Sequence, residues 1–84
     1  MYSVETDQDA LDQVTALPTK ALAPYAKLIA LLEVAPWSGD AYNRQRPEAN
    51  MRAHPFGEHD QGLAIYLVLE DQRRVIVLRV MWAG

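Results

Sequence analysis

Residues Gly62 to Trp82 constrain this chain more than any other stretch. Leu63, Ile65, Leu67 and Leu69 alternate with Ala64, Tyr66 and Val68, and a polar break, Glu70-Asp71-Gln72-Arg73, follows. The run from Arg74 to Trp82 is then almost wholly β-branched or apolar. Alternation with a short polar interruption is the signature of a β-hairpin. The expected cross-strand pairs are Leu69 with Arg74, Val68 with Val75, Tyr66 with Val77 and Ala64 with Arg79. The second strand is apolar on both faces, with Ile76, Leu78, Val80 and Trp82 on one and Val75, Val77 and Met81 on the other. Such a strand belongs in the middle of a sheet with something packed on it. The expectation is that helices cover the Ile76 to Trp82 set and leave Arg79 and Tyr66 on the open side.

The remaining chain supplies those helices. Tyr2 to Thr6 alternates and reads as a first strand. Asp7 or Thr6 can cap a helix drawn from Gln8 to Ala16, where Ala10, Leu11, Val14 and Leu17 share one face. Pro18-Thr19 breaks it, and a second helix follows with Leu22, Tyr25, Leu28, Ile29 and Leu32 as its buried stripe. Pro24 either kinks this helix or opens its regular part. Ala35 to Asp40 is rich in breakers, residues 41–49 read as a polar loop, and Asn50 to Phe56 reads as a strand. The order β-α-α-β-β-β predicts an α+β fold: two helices on one face of a mostly antiparallel, four-stranded sheet in one domain over residues 1–84.

Composition narrows the function classes. The chain has 84 residues and no cysteine, so it offers neither disulfides nor thiolate metal ligands, and a reducing, cytoplasmic setting is expected. No apolar run approaches a membrane span. The net charge of −3 argues against generic nucleic-acid binding, but its distribution is uneven. Residues 1–42 hold two lysines against six acids, whereas residues 43–84 hold all six arginines against five acids. A guanidinium suits phosphate and carboxylate recognition better than an ammonium does, although arginines are equally at home on a solvated surface.

The order and spacing of elements resemble the RelE/ParE superfamily of small bacterial toxins. The carriers are the initial strand, the helical hairpin broken at Leu17-Pro18, and Leu31-Leu32-Glu33-Val34-Ala35-Pro36-Trp37. The basic strand Met51-Arg52-Ala53-His54 and Gly62-Leu63-Ala64-Ile65-Tyr66-Leu67-Val68 leading to a final apolar strand complete the likeness, which spans the chain. It is closest to compact members that stop just after the last strand. The resemblance implies the toxin half of a type II toxin–antitoxin pair, with a cognate antitoxin hiding its concave face, and a homodimer or toxin–antitoxin hetero-oligomer as the assembly. It further implies metal-independent, cofactor-free cleavage of messenger RNA, often on the ribosome. The alternatives are a ParE-like action on DNA gyrase and a degenerate member that only binds its antitoxin.

Cleavage through the RNA's own 2′-hydroxyl needs a base, a cation for the phosphorane and an acid for the leaving oxygen. The expected set is Arg52 and Arg79 as phosphate clamps, His54 as acid or base, and Tyr66 beside them. Arg44, Arg46 and Trp82 are the expected substrate-binding residues, and Glu48 is an outside candidate for the base. Each has a structural alternative: His54 as a half-buried histidine, Tyr66 and Trp82 as packing, and Arg44 and Arg46 as solvated loop. The Glu58-His59-Asp60 cluster implies no ligand geometry, so no metal site is expected. The chain also departs from the superfamily pattern. Leu63 stands where an arginine is common, the basic and aromatic residues after the last strand are missing, and the charge is acidic rather than basic.

Overall fold

The computed structural model describes Met1–Gly84. Its elements are β1 (Ser3–Thr6), α1 (Gln8–Thr15), α2 (Thr19–Val34), β2 (Asp40–Ala41), β3 (Met51–Phe56), β4 (Gly62–Leu69) and β5 (Arg74–Trp82), with 3-10 turns at Pro36–Ser38 and Glu70–Gln72. The sheet order is β1-β5-β4-β3-β2. β1 runs parallel to β5, and the other pairs are antiparallel. The α+β class and helical hairpin are as expected, but the sheet has five strands and is mixed. The added strand, β2, is two residues long and follows Gly39, so its sequence carried only turn signals.

Local chemistry explains the helical hairpin. The Asp7 carboxylate accepts from the Asp9 N–H at the start of α1, which satisfies a donor that the helix itself leaves orphaned. Pro18, in extended backbone, separates the helices. Pro24 lies inside α2 rather than at its start. Ala21, Tyr25, Leu28 and Leu32 form the buried stripe of α2, whereas Leu22 is 48% exposed.

Tyr25, Leu28 and Leu32, with Ala10 of α1, pack on Phe56, Ala64, Tyr66, Val68, Val75, Val77 and Val80. The helices therefore cover Val75 and Val77, not Ile76 and Leu78. A β-bulge explains this: Tyr66 pairs with Val77 and Ile65 with Arg79, so Leu78 is the extra residue. Beyond it Ala64 pairs with Val80, not with Arg79. A bulge moves every later side chain to the opposite face. Val80 and Trp82 consequently join the helix side, while Arg79 and Met81 face away.

β1 covers only the first part of β5, from Arg74 to Val77. Past its end, the Val80 N–H donates to Gln13 Oε1 of α1 at 2.6 Å. This side chain supplies the acceptor that a longer edge strand would have given.

Candidate functional site

β3 decides where the expected site residues point. Arg52 pairs with Tyr66, His54 with Ala64 and Phe56 with Gly62. Directly opposed residues share a face, and Tyr66, Ala64 and Phe56 belong to the core under the helices. Arg52 and His54 thus lie on the helix side. Arg79 is exposed on the other side, opposite Ile65. The single pocket expected from Arg52, His54, Tyr66 and Arg79 does not form, because the bulge and the pleat divide these residues between two faces.

Arg52 is engaged by the protein itself. Its Nη1 donates to the carbonyls of Pro47 (2.8 Å) and Ala49 (3.2 Å), and its Nη2 donates to that of Gly39 (2.7 Å). Its guanidinium also lies over the Trp37 ring. The group anchors the long 42–50 loop to the sheet. Tyr66 is fully buried and donates its hydroxyl to the Pro36 carbonyl at 2.7 Å. Burial holds this phenol above its ordinary pKa, with the hydrogen bonding around Gly39 and the charge of Arg52 working against the rise.

His54 is half-buried, with Nδ1 donating to the Pro55 carbonyl at 2.7 Å. Trp82 stands in the same region, its ring centroid 5.7 Å from that of Phe56, which in turn meets Tyr25 edge-on at 5.5 Å. Both His54 and Trp82 line a cleft between α2 and the end of β3. Lys20 and Lys27 line it too, and the sequence reading passed over both. Their signal was legible: two lysines seven residues apart on one helix, with no acid three or four residues from either.

The open face carries Ala53 of β3, Leu63 and Ile65 of β4, and Arg79 and Met81 of β5. The 42–50 loop folds against part of it, so that Asp40, Tyr42, Arg44 and Pro47 enclose a recess of about 610 Å³ over Ala53, Leu63 and Ile65. Arg44 and Arg79 are thus the cations the structure associates with this face. Arg46 is exposed in the loop, where its backbone N–H donates to the Asn43 carbonyl. The face is chiefly aliphatic, and its chemistry is that of a binding surface more than of an acid–base site. No group of three or more His, Cys, Asp or Glu side chains comes together as a metal cage, and no helix is long and apolar enough to cross a membrane.

Opposite the bulge, Glu70 ties the far end of the molecule together. Its Oε1 accepts from the Tyr2 hydroxyl at 2.7 Å and from the Trp37 indole N–H at 2.8 Å. These bonds hold its carboxyl below the usual range and push the Tyr2 phenol up.

No protein-family model matches this chain, and no curated protein sequence is detectably similar to it. Solved structures are similar in fold. A chain of the intact E. coli RelBE toxin–antitoxin complex superposes with a TM-score of 0.80 at 15% identity, covering 100% of this chain and 99% of that one. The isolated E. coli RelE toxin gives 0.77 at 17% identity, covering 100% and 86%. The archaeal RelE–RelB complex from Pyrococcus horikoshii gives 0.66 at 14% identity, covering 99% and 96%. The chain has the fold of the RelE toxins.

Proposed function

We propose that this chain is the toxin-fold half of a type II toxin–antitoxin pair, acting in the cytoplasm and held by a cognate antitoxin over its open sheet face. The observation that carries the reading is the fold match over the full chain to RelE structures, some of them complexes with RelB. The open face supports it chemically. Leu63 and Met81 lie side by side there, Met81 being 40% exposed, so an antitoxin would find apolar side chains to cover on this face. The reading is tested by co-expressing the chain with the product of whichever small open reading frame adjoins its own. A stable complex is the expected result, and monomeric chain with no retained partner contradicts it.

Messenger RNA cleavage is the second reading, and Arg79 and Arg44 favour it. Both cations belong to the open face, where they can clamp a phosphate. In this reading Arg79 is the principal clamp, and Arg52 and Tyr66 act through the fold by holding the loop and the core. Incubation with translating ribosomes tests it: new cuts in messenger RNA that vanish with Arg79→Ala support the activity, and an unchanged transcript overturns it.

A further inference from the structure

The only lysines of the chain, Lys20 and Lys27, lie along one side of α2 and line the same cleft. Seven residues of α-helix separate them by about 10.5 Å along the axis. The cleft encloses about 680 Å³, and Pro24, Leu31, Phe56 and Trp82 supply apolar lining. The ion pairs of the structure, Arg73 with Glu70 and Arg74 with Glu5, leave both lysines unpaired. The Trp82 ring lines the cleft beside Gly57, while its indole N–H is buried next to Gly84.

We propose that this cleft takes an acidic, amphipathic segment of a partner protein. Two carboxylates sit on Lys20 and Lys27, and an apolar side chain lies between them against Pro24 and the Trp82 ring. The lysines lie about two helical turns apart, a spacing that suits an extended segment meeting both. The cleft is locally basic in a chain of net charge −3, so the attraction is specific to this surface. An RNA strand fits less well, because nucleic acid gains its affinity by neutralising many phosphates, and here two lysines are offset by Glu58 on the rim. The proposal rests on the reading that the chain works bound to a protein, and it places a second contact on the side opposite the open face.

The test uses the full chain and three labelled probes: a short peptide with two glutamates seven residues apart and a leucine between them, its lysine-for-glutamate counterpart, and an oligoadenylate of similar length. The acidic peptide is expected to bind, and the Lys20→Glu/Lys27→Glu variant is expected to bind it roughly tenfold more weakly while gaining affinity for the basic peptide. Both positions are exposed, so the variant keeps its fold. In the wild type, the Trp82 indole N–H resonance shifts on titration and that of Trp37 does not. Equal binding of both peptides, binding of the oligoadenylate alone, or an unmoved Trp82 resonance overturns the proposal. A chain that captures a co-expressed antitoxin candidate yet ignores the acidic peptide overturns the cleft and leaves the partner reading standing. Peptide binding without antitoxin capture does the reverse.

Discussion

The guanidinium carbon of Arg52 lies 5.3 Å from the centroid of the Trp37 ring, and the carbonyls it bonds belong to Gly39, Pro47 and Ala49. The strand that supplies Arg52 and the turn that supplies Trp37 are thereby joined by one cation. Three of its N–H groups bond carbonyls, while Nε is buried without an acceptor, and the guanidinium holds the loop against the sheet.

Arg52→Ala is therefore expected to lower stability by about 2–3 kcal/mol, through lost charge-assisted bonds to carbonyls and the lost stack. Arg52→Lys should recover little, since an ammonium cannot reproduce the planar fork. Urea midpoints of the three proteins check this. Equal midpoints for wild type and Arg52→Ala would free the residue for substrate.

Tyr66 and Gly39 form a second joint. Tyr66→Phe is expected to cost about 1–2 kcal/mol by leaving the Pro36 carbonyl without its donor. Gly39→Ala should cost more, because a Cβ there meets the Tyr66 hydroxyl and comes within 2.7 Å of the Ala53 carbonyl oxygen. Combining the two substitutions relieves only the first clash. Thermal unfolding of the double variant should show a less than additive loss, and strict additivity would separate the two sites.

The carboxyls of Glu5 and Glu70 are both held below the usual range, Glu5 by the hydrogen bonds of Arg74 and Glu70 by those of Trp37 and Tyr2. A group with a depressed folded-state pKa adds stability that is present above its unfolded value and lost as pH falls through the folded one. Stability should accordingly decline on acidification below the ordinary carboxylate range. Glu70→Gln is expected to flatten part of that decline in unfolding curves measured from neutral to acid pH. An unchanged pH profile would remove Glu70 from the cause.

The α-helical hairpin and the turn-proximal pairs of β4 and β5 were legible because apolar periodicity and the Pro18 break leave little choice. The facing of β5 was not. Val75 and Val77 are as apolar as Ile76 and Leu78, so alternation carries no vote about which set the helices cover. The bulge at Leu78 then reverses the facing midway, and nothing in Val-Leu-Arg-Val announces it. Arg79 on the open face emerged from two errors that cancelled, an inverted facing and an unseen bulge. Arg52 and Tyr66 were misplaced by the facing alone. Lys20 and Lys27 were visible as unpaired charges but had no partner strand in the sequence to bring them to a cleft.

Arg79 is exposed, and Arg79→Ala is expected to change stability by less than about 0.5 kcal/mol. Any loss of RNA cleavage or growth inhibition in that variant would then report on chemistry and not on folding. Circular dichroism melts beside the activity assay make the comparison.

The open face itself offers the most direct measurement. Leu63→Glu and Met81→Glu place charges on neighbouring positions of β4 and β5 without touching the helix-side core. Each variant is co-expressed with the product of whichever small open reading frame adjoins that of the chain, purified through a tag on that partner, and compared with wild type. The expected result is retention of the wild-type chain and loss of both folded variants. Full retention of the two variants, or no retention of the wild type, would contradict the assignment of this face to an antitoxin.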